Sequence, residues 1–434
     1  MNRIRWATAA AVLGLLAASA VPAARAADEL FFPSLVYRSG AYAPNGIPWA
    51  NGVADYVALV NARDGGVNGI PLKLEECETG YATDRGVECY ERLKGQGTAG
   101  AVAFSPLSTG ITFALTEKVP TDKIPLQTLG YGRSESVDGR VFQWNFPLLG
   151  TYWDAASILL EHLNANGGLQ GKKITLVYHD SPYGKEPIPV LEEMAGKLGY
   201  TFEAIPVTHP GVEQKAAWLQ IRRNRPDYVL LWGWGVMNST AIKEAVAVGY
   251  PREQMYGVWW AAAEPDVRPA GEDAKGYSGL ALNPSGQDFP VVQAILGDVY
   301  GKGGGAGPKE EVGEVLYNRG MINAMLTIEA IRTAMGKYGN RVLNGEEVRW
   351  GFENLDLTEA RIKELGFEGL VRPFRITCLD HGGAHSARIH QWDGTKWVFT
   401  SDWIESDKDY LRPKMEEAAA RYAKEKGITP ASCS

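Results

Sequence analysis

The sequence lacks the short motifs on which several large classes of enzyme depend. It contains no Gly-x-Ser-x-Gly nucleophile elbow, no His-Glu-x-x-His metalloprotease motif and no phosphate loop ending in Gly-Lys-Ser/Thr. Positive charge is also in the minority, with 44 Lys and Arg against 51 Asp and Glu. Because nucleic acids recruit clustered basic residues, this balance argues against a nucleic-acid partner. We therefore expect a protein that is not an enzyme, holds no cofactor and binds no nucleic acid.

Histidine is scarce, with six residues in the chain, and only one group suggests a metal site. Asp380, His381 and His385 lie close together in sequence. Their spacing fits a turn in a β-rich region more readily than a preformed three-ligand site, so we expect no metal.

Long apolar runs are confined to the N-terminus. Arg3 and Arg5 precede an apolar run over residues 7–21, and small residues surround Arg25. This order is typical of a secretory signal peptide over residues 1–26, and the run is too short for a permanent membrane anchor. The alternative, a buried helix, would alternate polar and apolar faces, which this run does not. No cysteine follows the expected cleavage site, so we predict an unanchored periplasmic protein.

The four cysteines are expected to form two disulfides, since their number is even and the predicted compartment is oxidising. Cys77 lies close to Cys89, and Cys378 and Cys433 are both in the C-terminal region. We predict these two pairs. The alternative is that one pair stays reduced and buried.

Short β-rich runs alternate with helical patterns from Leu30 onward, which predicts an α/β fold with parallel sheets built from βαβ units. Two such series follow one another, which indicates two Rossmann-like lobes, each with a doubly wound parallel sheet. The later chain differs: residues 315–335 form a long helical pattern, and residues 373–403 predict antiparallel strands with a turn at Asp393-Gly394.

Several landmarks occur together in a characteristic order. They are the segment Ser39-Gly40-Ala41-Tyr42-Ala43-Pro44-Asn45-Gly46, a helix ending in Asn61-Ala62-Arg63-Asp64-Gly65-Gly66, Asp180-Ser181-Pro182-Tyr183-Gly184 after a strand, and Asp227-Tyr228-Val229-Leu230-Leu231 before Trp232-Gly233-Trp234-Gly235. Over roughly residues 30–260 the chain resembles the branched-chain amino-acid-type periplasmic binding proteins.

The resemblance implies the type I periplasmic binding fold, with two lobes joined by three hinge crossovers that close on a small solute. It implies a first lobe of residues 27–147 plus 274–350 and a second of residues 148–273 plus 351–434. It also implies that the loaded protein, which we expect to be a monomer, docks on the membrane permease of an ABC transporter. Open parallel sheets bind ligands beyond the carboxyl ends of their strands, which agrees with this arrangement.

Candidate ligand-binding residues follow the predicted strands. In the first lobe, hydroxyls near a helix N-terminus suit a carboxylate. Alternatively, Ser108 only caps its helix and Tyr42 only packs on its own helix. The first-lobe candidates are Tyr42, Ser105, Ser108, Thr109, Gly130 and Tyr131. The second-lobe candidates are Tyr183, which the resemblance places over the ligand, and Trp234, Trp259 and Trp260. The alternatives are a surface turn position for Tyr183 and simple core positions for the tryptophans.

The solute is left open between an amino acid, an aromatic or other organic carboxylate, and an amine. The resemblance places an acidic residue, which pairs with the ligand's ammonium, near Trp259 and Trp260; the nearest acids are Glu264 and Asp266. If neither faces the cleft, a planar or aromatic carboxylate, or a quaternary ammonium in an aromatic cage, is favoured. Two other functions remain as alternatives: a sensory binding protein that reports to a membrane receptor, and a hydrolase on an α/β scaffold.

Overall fold

The computed structural model of the chain describes residues 28–433, so the predicted signal peptide lies outside the described residues. The strands are β1 (Leu30–Val36), β2 (Leu72–Glu78), β3 (Leu126–Gln127), β4 (Asn145–Phe146), β5 (Lys173–His179), β6 (Thr201–Val207), β7 (Tyr228–Trp232), β8 (Met255–Gly257), β9 (Ser278–Ala281), β10 (Asp356–Leu357), β11 (Phe374–Arg375), β12 (Ser386–Trp392), β13 (Trp397–Phe399) and β14 (Ile404–Glu405).

The helices alternate with these strands through most of the chain, as the βαβ pattern predicts. They are α1 (Ala43–Asp64), α2 (Thr83–Leu93), α3 (Thr109–Thr116), α4 (Val119–Asp122), α5 (Tyr152–Ala165), α6 (Pro182–Lys185), α7 (Ile188–Leu198), α8 (Lys215–Asn224), α9 (Val236–Ala247), α10 (Glu264–Val267), α11 (Pro290–Asp298), α12 (Val315–Tyr338), α13 (Gly345–Glu353), α14 (Glu359–Leu365) and α15 (Lys408–Lys426). None of these helices is both long enough and apolar enough to cross a bilayer.

The first sheet is parallel and short. β1 pairs with β2 along seven residues, and single bridges continue the sheet from Phe31 to Ala101 and from Phe104 to Leu126, next to the β3–β4 pair. We refer to the elements around this sheet as the first lobe. The sequence pattern predicts a strand over residues 141–146, but the strand is confined to β4, and Phe142 stacks on Tyr422 of α15.

The second sheet has the strand order β13-β12-β9-β8-β7-β5-β6, with β14 paired to β12. The pairs among β5, β6, β7, β8 and β9 are parallel, whereas β12 is antiparallel to β9, β13 and β14. The predicted parallel series and the later antiparallel region are therefore both present, and the elements around this sheet form the second lobe. Strand β9 lies in it, although the expected boundary at residue 274 assigned this segment to the first lobe.

The long helix α12 packs along α1 at very close range. Gly52 on α1 and Gly320 on α12 face the backbone of the opposite helix, and a Cβ at either glycine would overlap a carbonyl oxygen there, of Tyr317 or of Trp49. Two glycines therefore permit the close approach of these helices.

Both predicted disulfides are confirmed. Cys77 is bonded to Cys89 with a Cα–Cα distance of 5.8 Å, and Cys378 to Cys433 with a distance of 5.6 Å. The first bridge joins β2 to α2, and the second fastens the segment after α15 to the loop that precedes β12.

Candidate functional site

A cavity lies between the two lobes, at the carboxyl ends of their parallel strands. Its walls pack closely, and the cavity volume is ≈ 20 Å³. Loops after β2, Phe104 and β3 contribute one side, and the start of α5 with the loops after β5, β7 and β8 contributes the other. The lining residues are Tyr81, Leu107, Ser108, Thr109, Tyr131, Tyr152, Tyr183, Trp234 and Trp260. None of these nine side chains carries a formal charge at neutral pH.

The hydroxyl groups on the first-lobe side lie at the N-terminus of α3. Ser108 is the N-cap, and its Oγ accepts a hydrogen bond from the backbone N–H of Ile111 at 3.3 Å. Thr109 is 2% exposed, and its Oγ1 has no hydrogen-bond partner within 3.5 Å, although it lies near the hydroxyl of Tyr152. A buried hydroxyl without a partner is costly, so Thr109 offers a free polar group beside a helix terminus that favours negative charge.

Leu107 lies in this wall with an unusual backbone conformation, at φ +47°. Its N–H donates to the hydroxyl of Tyr131 at 2.8 Å, and its carbonyl oxygen accepts from the hydroxyl of Tyr37 at 3.0 Å. The indole N–H of Trp234 donates in turn to Tyr37 at 3.0 Å. Because left-handed conformations are unfavourable for leucine, these bonds hold a strained loop in place at the cavity.

The second-lobe side is an aromatic wall. The hydroxyl of Tyr183 donates to the carbonyl of Gly233 at 2.9 Å, the rings of Tyr152 and Tyr183 lie 5.2 Å apart, and Trp234 meets Trp260 edge to face at 5.4 Å. Burial raises the pKa of Tyr152 and of Tyr183 well above the usual range. The tyrosines therefore stay neutral, and the wall offers ring faces and O–H groups rather than charge.

Six of the ten predicted site residues line the cavity, and four lie behind it. Gly130 accepts hydrogen bonds at its carbonyl from the indole N–H groups of Trp259, at 2.6 Å, and Trp260, at 2.9 Å. The ring of Trp259 is fully buried and does not reach the cavity. Ser105 Oγ donates to Asn323 Oδ1 at 3.2 Å and lies 3.4 Å from the hydroxyl of Tyr131, a residue of the cavity wall.

Tyr42, the fourth of these residues, supports the cavity from the side. Its ring packs on Tyr81 with centroids 4.4 Å apart, and its hydroxyl lies 2.7 Å from His179 Nε2. This contact and the bonds from Trp259 and Trp260 to Gly130 join the two lobes around the cavity.

Sequence reasoning missed Tyr81, Leu107 and Tyr152. Tyr81 follows the end of β2 by three residues, so the same rule that selected the other strand-end loops would have found it. Tyr152 begins α5, outside any such loop, and Leu107 takes part through its backbone conformation, for which its residue type gives no signal.

The two acidic candidates do not line the cavity. Glu264 accepts a hydrogen bond from the N–H of Val315 at 3.0 Å, and burial raises its pKa to about 7. Asp266 accepts from Asn45, from Asn238 and from the N–H of Ala263, at 3.0, 2.8 and 2.9 Å. Burial raises the pKa of Asp266 to about 6. Both carboxylates are thus engaged in holding loops and helices together.

The histidines of the C-terminal region serve a buried polar network. His385 lies 3.0 Å from both Asp154 Oδ2 and Asp380 Oδ1, while His381 stacks on Phe146 with centroids 4.2 Å apart. Within residues 28–433, no three His, Cys, Asp or Glu side chains are arranged to hold a metal ion.

Comparison with known proteins adds the evolutionary context. A periplasmic binding protein family matches residues 29–396. A search of curated proteins finds no match. A crystal structure from the Pseudomonas fluorescens group, described as an ABC transporter permease, is 43% identical, covers 94% of this chain and 100% of its own, and superposes with a TM-score of 0.87.

Two more distant structures share the fold. A branched-chain amino acid ABC transporter protein from Thermus thermophilus with bound valine is 20% identical, with coverage of 90% and 99% and a TM-score of 0.76. A solute-binding protein from R. palustris in complex with benzoate is 17% identical, with coverage of 87% and 98% and a TM-score of 0.68. The chain therefore belongs to the periplasmic binding protein family, with the type I fold of its branched-chain amino-acid-binding members, and is a solute-binding protein.

Proposed function

We propose that the protein binds a small aromatic carboxylate between its two lobes, in the periplasm, and delivers it unchanged to the permease of an ABC transporter. The observation that carries the proposal is the composition of the cavity: six aromatic rings, two hydroxyl side chains and no charged group. An α-amino acid brings a buried ammonium that needs an anionic partner, since an unpaired buried charge is expensive. Glu264 and Asp266 are bound elsewhere, which disfavours an amino acid.

The first-lobe wall suits the carboxylate end of such a ligand. Thr109 Oγ1 is buried without a partner, and α3 directs its N-terminal end toward the same wall. A hydroxyl donor and a helix N-terminus both stabilise negative charge. The ring of the ligand would then contact Tyr152, Tyr183 and Trp260, where aromatic pairs gain from offset or edge-to-face packing.

The lining leaves little free space in this form of the protein. The cavity volume is ≈ 20 Å³, room for about one water molecule, so the lobes must part to admit a ring-sized solute. The R. palustris neighbour with benzoate gives the proposal a precedent within the same fold.

Delivery to a permease is supported by the family and by the 43% identical relative, which is described as an ABC transporter permease. The periplasmic location is supported by the family and by the signal-peptide pattern over residues 1–26. The absence of a recognisable catalytic motif in the sequence agrees with transport of an unaltered solute rather than with catalysis.

The proposal is tested by calorimetry and thermal shift with benzoate, phenylalanine, valine and phenyltrimethylammonium. We expect benzoate to bind and to raise the melting temperature, because a ligand that binds only the native state stabilises it. Tight binding of valine or phenylalanine would contradict the proposal. Binding of phenyltrimethylammonium alone would instead indicate an aromatic cage for a quaternary ammonium.

A matched pair of variants tests the carboxylate wall. Thr109→Val removes the hydroxyl in the cavity, and we expect it to weaken benzoate binding at least about tenfold, as for loss of one hydrogen bond to a charged group. Thr128→Val is the control, because Thr128 Oγ1 is also buried without a partner but does not line the cavity. Equal losses in both variants would remove Thr109 from the site.

A further inference from the structure

The last helix, α15, and the segment that follows it contact both lobes. We call residues 407–433 the C-terminal strap. The chain leaves the second lobe at β14, runs along α15 and reaches the disulfide between Cys433 and Cys378. Within the described part of the chain, no residue of the strap lines the cavity. The strap can therefore influence a solute only through the positions of the lobes.

The first half of the strap is fastened to the second lobe. The backbone N–H of Asp407, the N-cap of α15, donates to Ser157 Oγ on α5 at 2.9 Å. The ammonium of Lys197 on α7 lies 3.8 Å from the centroid of the Tyr410 ring. These contacts hold the start of α15 against two helices of the second lobe.

The second half of the strap is fastened to the first lobe. Tyr422 stacks on Phe142 with ring centroids 4.7 Å apart, and the guanidinium carbon of Arg133 lies 4.7 Å from the centroid of the Tyr422 ring. Beyond the helix, the N–H of Ala431 donates to the carbonyl of Arg140 at 2.7 Å. The three partners of the strap all lie between β3 and β4, which belong to the first lobe.

The disulfide secures this end of the strap covalently to the first lobe. Cys378 lies in the loop of His381, whose backbone N–H donates to the carbonyl of Val137 at 2.9 Å and whose Nδ1 lies 2.7 Å from the carbonyl oxygen of Asn145 in β4. The covalent link keeps the end of the strap near its contact surface. The contacts of Tyr422 therefore re-form readily if they break, because the link makes their formation intramolecular over a short distance.

From these contacts we infer that the C-terminal strap restrains the separation of the two lobes and thereby slows the release of a bound solute. A helix of 19 residues is about 28 Å long and does not lengthen, so contacts at one end of α15 must break when the lobes separate. Interactions that are present only in the closed form favour it and raise its affinity for a solute. The inference rests on the proposed capture of a solute between the lobes and adds an element that controls its retention.

Two variants weaken the end of the strap on the first lobe. Replacing both Cys378 and Cys433 by serine removes the covalent link, and Tyr422→Leu removes the stacked ring but keeps the link. Spin labels on Ala62→Cys and Ala216→Cys, at exposed positions of α1 and α8, report the separation of the lobes without any solute. We expect a longer mean distance between the labels in each variant than in the wild type. An unchanged distance in either folded variant overturns the inference, and Tyr422→Leu decides alone if the serine variant does not fold.

Retention of the solute is measured with benzoate, by stopped-flow tryptophan fluorescence and by calorimetry. We expect each strap variant to raise the dissociation rate and the dissociation constant at least about threefold, as for the loss of one aromatic pair. Longer label distances without faster release of bound benzoate would overturn the inference, because the strap would then not control retention.

Each strap variant has a matched control within the first lobe. Replacing Cys77 and Cys89 by serine removes a bridge that joins β2 to α2. Tyr338→Leu removes a ring that packs edge to face on Trp350, between α12 and α13, with centroids 5.9 Å apart. Both controls should keep the label distance of the wild type. An increase as large as in the strap variants would indicate general loosening and would contradict the inference.

The two measurements separate this inference from the proposed function. If benzoate does not bind, the proposed function fails, and the label distances still show whether the strap restrains the lobes. If benzoate binds and the strap variants change neither the label distance nor the dissociation rate, the inference fails and the proposed function stands.

Discussion

The hydroxyl of Tyr42 lies 2.7 Å from Nε2 of His179 and joins the loop after β1 to the end of β5. The other ring nitrogen of His179, Nδ1, lies 2.8 Å from Ser181 Oγ. A neutral imidazole satisfies both contacts, since one nitrogen donates and the other accepts. Burial, with a smaller contribution from the stacked ring of His209, lowers the pKa of His179 to about 4. This contact between the lobes therefore depends on an uncharged histidine.

Solute affinity should accordingly fall as the pH drops from 7.5 to 5.5. When the lobes separate, His179 meets water and regains its ordinary pKa of about 6.5, so the open form takes up a proton that the closed form excludes. Above pH 6.5 this proton uptake does not disfavour the closed form. As the pH falls toward 4, the closed form becomes less stable relative to the open form. At pH 5.5 the loss in benzoate affinity reaches about tenfold, measured by calorimetry.

His179→Gln provides the control, because glutamine still offers a donor and an acceptor but does not titrate. The pH slope should flatten in this variant. A slope as steep as that of the wild type would show that another group governs the pH dependence of closure.

Substitutions of the adjacent residues Trp259 and Trp260 should affect solute binding and protein stability differently. Trp259→Phe and Trp260→Phe each remove one indole N–H from the carbonyl of Gly130 and leave it the other donor. Because only Trp260 lines the cavity, Trp260→Phe should weaken benzoate binding at least about tenfold, with a small change in the free energy of unfolding. Trp259→Phe should lower the free energy of unfolding by about 2 kcal/mol and affect binding less.

Calorimetry gives the benzoate affinity of each variant, and urea unfolding gives its free energy of unfolding. If Trp259→Phe weakens binding as much as Trp260→Phe does, the solute extends past the space that the lining residues define.

Periodicity predicted most of the second lobe because its strands are continuous apolar runs. The sequence pattern predicts a strand over residues 173–179 and a helix over residues 408–426, and these are the bounds of β5 and α15. The strands of the first lobe were harder to predict. The segment from Ala101 to Phe104 joins the sheet only through single bridges, and a local hydrophobic pattern does not show how many hydrogen bonds a neighbouring strand will supply.

The lining of the cavity could be predicted where it follows the ends of strands. Ser108, Thr109, Tyr131, Tyr183, Trp234 and Trp260 follow the expected strands and do line the cavity. The sequence could not show which of Trp259 and Trp260 faces the cavity, because each residue of an irregular loop can face either the core or the cavity.

The two disulfides should differ in what they contribute to stability. The Cys378–Cys433 bridge spans 55 residues and the Cys77–Cys89 bridge 12, and a bridge restrains the unfolded chain more when it closes a longer loop. Replacing Cys378 and Cys433 by serine should lower the free energy of unfolding by about 4 kcal/mol, against about 3 kcal/mol for the other pair. Urea unfolding compares them; a larger loss for the shorter loop would contradict the entropic account.

His385 between Asp154 and Asp380 should stabilise the protein in acid and neutral solution and lose that effect in alkali. Burial alone would lower the pKa of His385, but the two carboxylates outweigh burial and raise it to about 10. From about pH 6.5 to about pH 10 the native state holds a proton that the unfolded chain has released. The contribution is therefore complete below pH 6.5 and declines as the pH rises toward 10.

His385→Gln should cost about 3–5 kcal/mol of unfolding free energy at pH 6, because it leaves two buried carboxylates without their cation. The gap between wild type and variant should narrow steadily at pH 8 and pH 9.5, since other groups titrate alike in both proteins. His162→Gln is the control, because burial lowers the pKa of His162, which therefore has no proton to lose between pH 8 and pH 9.5. A gap that stays constant from pH 6 to pH 9.5 would mean that His385 acts as a neutral hydrogen-bonding group rather than as the buried cation of this network.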